Sequence, residues 1–404
     1  MHVEILASRP PGGRRFRPWR KSLQKSVIST MFRAWAAWAA LTGWPRSKSQ
    51  NRRLCSRDFS MHIIDSHFHW WPRSIFDKLC KRQDYPRAAV NRQGGYDYSR
   101  RASSGAHLNS WAEWFDLDKQ FEYMDSLGHR VDVVCSIGPF SVSFSDMPVE
   151  EGRDYALMWN EEMAGAQKKY PGRLWASAAV PLQDARVAIE VVDDAVNRLG
   201  LMGVNLPGSV GEDARIDAER LMPFYAHCEK LGLPLFLHPT DVIFQDILDG
   251  YDGALHLGLG RVIEVSVAAM RLILSGTMER HPDLKIVLSH TGGALPYQAG
   301  RMDKNSKAAK LPKPVTAYMK RMFTDTVTPH AKGMQFAIDY FGIDRVMYGT
   351  DYPCWDPAAC LKLLEDVRLT EADKRKVFYD NARRILGLKD PPLAKSAKGE
   401  PVLA

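Results

Sequence analysis

The 404-residue chain has no run of 18 or more apolar residues; its nearest approach, residues 27–44, is interrupted by Arg33. A membrane-spanning helix is therefore not expected. The six cysteines (55, 80, 135, 228, 354 and 360) include no Cys-x-x-Cys pair. That spacing excludes a cysteine zinc site and a disulfide framework, and fits scattered reduced thiols. Acidic residues are nearly missing from residues 1–60, where 13 Lys and Arg face only Glu4 and Asp58. The formal charge of +8 is thus unevenly placed: the first 60 residues carry +11 and the remainder −3. A slightly acidic body gives no ground for nucleic-acid binding.

Residues 1–60 form a basic leader, in which Arg14, Arg15, Arg17, Arg20, Lys21 and Lys25 precede a Trp- and Ala-rich patch at 31–44. The composition reads either as an organellar presequence or as an upstream extension with Met61 as the working start. In both readings it is expected to be poorly ordered and without chemistry. Residues 61–390 then make one catalytic domain and 391–404 a flexible tail. The expected location is cytoplasmic, or organellar if the leader is a presequence.

What the chain does have is a short apolar run that ends in histidines, Ile63-Ile64-Asp65-Ser66-His67-Phe68-His69. Side chains alternate along a strand, so His67 and His69 share a face while Phe68 points the other way. Two imidazoles aimed at one spot make half a metal site. After a long loop at 70–114, which is expected to cover or form a site, apolar runs and helical periods alternate. Strands are predicted at 131–136, 174–180, 203–206, 234–238, 285–290, 322–327 and 345–348. Helices are predicted at 117–127, 150–170, 185–199, 218–231, 262–280, from about 295, and at 331–341. An insertion at 239–259 is expected to serve as a lid, and a final helix at 371–386 to pack outside. Eight buried parallel strands alternating with helices predict a (β/α)8 TIM barrel of the metal-dependent hydrolase type.

The polar residues at strand ends then fall into a pattern. His238 ends the fifth strand, His290 the sixth, and Asp351 follows the eighth. The C-terminal ends of all barrel strands converge on one mouth, so His67, His69, His238 and Asp351 are expected to hold one divalent cation, with room for a water or a substrate oxygen. Taken singly, each has a bland reading as a hydrogen-bonded core residue or a turn residue. His290, followed by Thr291-Gly292-Gly293, is read as the general acid/base, with a fifth ligand or a supporting hydrogen bond as the other reading. His290 and Asp351 are thus the catalytic candidates. Trp70, Trp71 and Trp355 flank the ligand motifs and are candidates for stacking on a planar substrate, or for ordinary rim packing. Glu264 reads as a cap or an ion-pair partner.

The motifs Asp65-Ser66-His67-Phe68-His69, Val180-Pro181-Leu182-Gln183-Asp184, Leu237-His238-Pro239-Thr240-Asp241, Leu272-Ile273-Leu274-Ser275-Gly276, Ser289-His290-Thr291-Gly292-Gly293, Gly300-Arg301-Met302-Asp303 and Gly349-Thr350-Asp351-Tyr352-Pro353 occur in this order. Together they resemble the aminocarboxymuconate-semialdehyde decarboxylase branch of the amidohydrolase superfamily. The resemblance implies one zinc, or in some relatives manganese or iron, on His67, His69, His238 and Asp351, with His290 as acid/base. It also implies that Arg301 binds a substrate carboxylate, across the interface of a homodimer or higher homo-oligomer. An arginine fork suits a carboxylate; the bland alternative is an ion pair with Asp303. One departure stands out. The family's second carboxylate-binding arginine would fall near His107 and Leu108, and Arg100 or Arg101 could replace it only if the loop shifts. A pocket shaped by Asn205-Leu206-Pro207-Gly208-Ser209 could then take a different substrate.

Two reactions fit this set. The first is non-oxidative decarboxylation of a small unsaturated or aromatic carboxylic acid. The alternative is hydrolysis of a lactone, ester or amide at the same site. A scaffold without activity is disfavoured by the complete ligand set. The expected partner is a small-molecule carboxylate, with neither nucleic acid nor membrane.

Overall fold

Runs such as Pro234–His238 are buried at every position, as parallel strands covered on both faces must be. The computed structural model describes residues 61–100, 107–136, 144–210, 215–240, 245–248, 250–389, 394–395 and 401–402. The leader, Arg101, Asp241 and most of the 391–404 tail lie outside the described residues. Of the tail only 394–395 and 401–402 are described, as an antiparallel pair.

In chain order the strands are β1 (His62–His69), β2 (Arg87–Val90), β3 (Tyr96–Ser99), β4 (His107–Asn109), β5 (Arg130–Ser136), β6 (Leu174–Ala178), β7 (Gly203–Pro207), β8 (Pro234–His238), β9 (Lys285–Leu288), β10 (Phe323–Asp325) and β11 (Val346–Met347). β1 and β5 to β11 form one eight-stranded sheet in sequence order. Its ends meet: Phe68 bridges Tyr352 in parallel, Ser66 N–H donates to the Tyr348 carbonyl at 2.8 Å, and Asp351 N–H donates to the His67 carbonyl at 2.7 Å. The eight strands thus close into the expected (β/α)8 barrel.

Helices fill the crossovers, and several begin where the sequence supplies a capping carboxylate. Asp116 accepts from Lys119 N–H, and Asp184 from the N–H groups of Arg186 and Val187. The helix predicted at 262–280 is two helices, Arg261–Leu274 and Thr277–Arg280, because Gly276 turns left-handed at φ 79° between them.

The predicted loop at 70–114 is a correction. It holds a helix, Arg73–Leu79, and the antiparallel sheet β2-β3-β4. The signal was present in Tyr96-Asp97-Tyr98, whose tyrosines are buried while the aspartate between them is exposed, a period of two that marks a half-buried strand. In the expected lid, residues 245–248 form a short helix and 256–260 a helical turn leading into Arg261–Leu274.

Inside the barrel Ile64, Val134, Phe236, Val287, Phe323 and Met347 pack together as an apolar layer. The last helix, Asn381–Leu386, adds Ala382, Ile385 and Leu386 to the same cluster. It is pinned to the strands' N-terminal ends by Asn381 Nδ2 donating to the Val346 carbonyl at 2.8 Å and by Lys285 Nζ donating to the Ile385 carbonyl at 3.5 Å. The final helix therefore plugs the barrel's base, where the sequence reading placed it outside.

Candidate metal centre

One pleat above the apolar layer the lumen turns polar. Two residues along a strand return to the same face, so Phe236 is followed by His238, Phe323 by Asp325 and Val134 by Ser136. On β1 a register shift between Asp65 and Phe68 turns His67 and His69 to the lumen. Phe68 packs outward against Phe121 and Tyr352. Asp351 arrives from the turn after β11 with φ 60°, an unusual conformation for a residue with a Cβ. Gly349, two residues earlier, makes room for His67: a Cβ there would lie 2.8 Å from the His67 Cβ.

His67, His69, His238 and Asp351 are all buried, and one ligand-type atom from each lies within 4.8 Å of the others. The imidazole centroids are 4.9 Å apart for His67 and His69, and 5.2 Å for His238 with each of them. The outward nitrogens are all engaged: His67 Nδ1 with Asp325 Oδ2 at 2.6 Å, His69 Nδ1 with the Ser136 carbonyl at 3.0 Å, and His238 Nδ1 with the Pro239 carbonyl at 2.9 Å. Acceptors at Nδ1 fix the proton there and turn the Nε2 lone pairs inward. The Nε2 atoms of His67 and His238 are buried without a hydrogen-bond partner, and His69 Nε2 lies 2.9 Å from Asp351 Oδ1. Buried inward-facing donors of this kind fit a single cation held by three nitrogens and a carboxylate.

The electrostatics agree. Burial and the neighbouring imidazoles hold His238 well below its usual range, so it is neutral. Burial would raise Asp351, but His67, His290 and His69 outweigh it and hold the carboxyl well below the ordinary range. Burial also opposes charge on His67, yet Asp351 and Asp325 push it up to about 9. A cation at the centre would take the place of that proton.

His290 joins the group, with its ring centroid 5.4 Å from that of His67 and 5.5 Å from that of His238. Its Nε2 is 3.5 Å from Asp351 Oδ2, and its buried Nδ1 has no hydrogen-bond partner. It sits in a run of four left-handed residues, His290, Thr291, Gly292 and Gly293. At Gly293 a Cβ would come 2.3 Å from the Val262 carbonyl oxygen, so the second glycine of the motif is required by space as well as by torsion.

Other sequence candidates fall elsewhere. Arg301 is exposed on the helix Leu295–Asn305 and outside the buried cluster. Asp303, its suggested ion-pair partner, accepts instead from Thr316 N–H and Oγ1. Trp70 is half-buried and Trp355 is 44% exposed. Trp71 is core, stacked 3.8 Å from Trp114, so of its two readings the structure supports packing and not a substrate contact. Arg100 is buried and paired with Asp146, and its Nη1 donates to the Thr240 carbonyl at 3.3 Å. Glu264 lies in the first turn of the helix Arg261–Leu274. It is buried where it accepts from Thr240 N–H at 3.0 Å, from the Thr240 hydroxyl, and from Ser209 Oγ at 3.4 Å. Gly208 leaves room for it, since a Cβ there would meet Glu264 Oε1 at 2.7 Å.

Sequence reasoning missed Asp325 and Trp114. Asp325 stands two residues beyond a lumen phenylalanine at a strand end, the same placement that marked His238. Trp114 stacks on the His69 ring at 5.9 Å and 14°, a contact that spacing alone does not reveal.

Known proteins share this architecture. A gamma-resorcylate decarboxylase from Rhizobium sp. (strain MTP-10005) is 31% identical over 286 residues, covering 67% of this chain and 87% of the relative. The 2-amino-3-carboxymuconate-6-semialdehyde decarboxylase of Dictyostelium discoideum is 27% identical over 329 residues, 76% of this chain and 90% of the relative. A dihydroxybenzoic acid decarboxylase from Polaromonas sp. JS666, solved with bound manganese, has the same fold at 23% identity. Its TM-score is 0.68, covering 81% of this chain and 97% of that one. The amidohydrolase family profile matches residues 64–388, and with that span accounted for, the chain belongs to the amidohydrolase family.

Proposed function

We propose that this enzyme is a carboxy-lyase that removes CO2, without redox chemistry, from a small aromatic or unsaturated carboxylic acid, hydroxybenzoates of the gamma-resorcylate type being the first candidates. The observation that carries the reading is the inward set of His67, His69, His238 and Asp351 with His290 beside it, in a chain whose relatives are decarboxylases. When bound, a divalent cation supplies a Lewis acid for the substrate carboxylate or a neighbouring oxygen. His290 holds the proton that replaces the carboxyl group. As it is delivered to the substrate carbon, the bond to the carboxylate breaks and CO2 leaves, so one proton is consumed for each CO2 released. Burial of the whole group excludes bulk water and strengthens each of these interactions. Hydrolysis of a lactone, ester or amide is not favoured, since the two curated relatives described above are decarboxylases.

The nitrogen-rich donor set suits zinc, manganese or iron, and zinc is the reading carried from the family resemblance. The manganese in the Polaromonas protein makes manganese its direct competitor. Trp70 and Trp355 are assigned to the rim around the substrate. Arg301 is assigned to a carboxylate in a second copy of the chain. In support, Tyr297 on the same helix has an exposed ring that stacks on the exposed Phe336 at 4.7 Å, an apolar patch that a homodimer would cover. Residues 61–390 are assigned as the catalytic domain, and a chain starting at Met61 is expected to keep full activity.

The test is a carboxylic-acid panel given to protein reconstituted with zinc or with manganese, followed by CO2 release against acid or alcohol release. His290→Ala should retain metal while turnover falls about 10²–10⁴-fold. Release of an alcohol or amine without CO2 would return the hydrolase reading.

A further inference from the structure

Asp325 is buried at the end of β10, and its two oxygens accept from four donors. Oδ2 faces His67 Nδ1 at 2.6 Å and the His290 N–H at 3.2 Å. Oδ1 accepts from the Thr291 N–H at 3.0 Å and the Val327 N–H at 3.0 Å. Three of these donors are backbone amides, which cannot reverse their role; the fourth is an imidazole, which can. Two of the amides belong to His290 and Thr291, held at φ 54° and 55°, where residues with a Cβ are strained. One carboxylate therefore touches both a proposed cation ligand and the turn that aims the proposed proton donor.

We propose that Asp325 is a positioning residue that sets two things at once. It fixes the His67 tautomer that presents Nε2 to the centre, and it holds the left-handed His290–Thr291 turn that keeps the His290 ring over that centre. The inference rests on the site reading above and goes beyond it, because it links two roles that sequence assigned to separate strands. The chemistry of an amide substitution makes the link testable. In Asp325→Asn one of the two acceptor positions becomes an NH2 group. At Oδ1 it would face two fixed amide donors. At Oδ2 it would face the His290 amide and force His67 to accept at Nδ1, which moves the imidazole proton to Nε2 and blocks the cation's place.

The experiment compares the full-length wild type, Asp325→Asn, Asp325→Glu and the double variant Asp325→Asn/His290→Ala. Zn2+ and Mn2+ affinities are measured by chelator competition, and imidazole tautomers by nitrogen NMR. In Asp325→Asn the metal affinity is expected to fall roughly 10–100-fold. At saturating metal kcat should fall by about 10–100-fold with KM little changed. The kcat loss should vanish when His290 is already alanine, while the loss of metal affinity persists. Asp325→Glu, which keeps both acceptors, should recover part of each. If Asp325→Asn does not fold, the spectrum of the Zn2+-loaded wild type still decides: a His67 proton on Nδ1 supports the proposal, and a proton on Nε2 overturns it. Wild-type metal affinity together with wild-type kcat in Asp325→Asn would also overturn it. Metal affinity and tautomer need no substrate, so they stand apart from failure of the acid panel, which would sink only the decarboxylase reading.

Discussion

The upper and lower halves of the barrel lumen are built by the same strands one pleat apart, and they obey opposite rules. Below, Ile64, Val134, Phe236, Val287, Phe323 and Met347 fill the space with apolar atoms closed by the last helix. Above, His67, His238, Ser136 and Asp325 line it, with inward nitrogens that no protein group satisfies. Between them Ser177 Oγ donates to Asn205 Oδ1 at 2.9 Å, and the Asn205 amide donates to the Ser177 and Ala178 carbonyls. The lower layer supplies folding free energy through burial, and the upper one holds buried polar atoms that are costly without a cation. Stability and function are thus separated by two residues along β5, β8 and β10, and by three across the register shift of β1.

Substitutions should divide along that line. His238→Ala is expected to have the largest effect, abolishing retained metal and turnover. It should leave the melting temperature of metal-stripped protein unchanged or higher, because an unsatisfied buried nitrogen is removed; metal analysis and thermal melts in chelator read both. If His238→Ala also collapses the stripped protein, the two layers are not separable. Ile385→Ala, in the plug of the base, should cost about 2–5 kcal/mol in denaturant unfolding while the folded fraction keeps wild-type kcat. Gly203→Ala places a Cβ 2.6 Å from the Phe236 ring. Overpacking of the lower layer should then cost about 1–3 kcal/mol, again with metal affinity intact. Arg198→Ala removes exposed ion pairs to Asp194 and Glu161 on the outer surface and should shift neither the melting temperature nor turnover measurably.

The upper layer was the more legible in the sequence. Histidine and aspartate at the ends of apolar runs are rare enough to be noticed, and the barrel rule brings strand ends together whatever their separation. The eight strands were legible for the same reason, since doubly buried runs interrupt helical periods. The lower layer was not, because Phe236 and Leu237 look alike in a continuous apolar run although one faces the lumen and the other the helices. Asp325 escaped notice because an aspartate between threonines reads as a turn, and the bonds of Glu264 to Thr240 and Ser209 have no sequence signature. The sheet within residues 70–114 was hidden by short strands and by aromatic residues that suggested a binding loop. Arg301 is a different case: its assigned role needs a second chain, so a single barrel leaves it facing solvent.

The seam where β1 meets the turn after β11 carries a final consequence. His67 and His69 lie on one side of that junction and Asp351 on the other, 282 residues beyond His69, so an ion held by all three works as a clasp on a ring whose two ends it fastens. Such an ion would find its full set of ligands only once the two ends of the sheet have met.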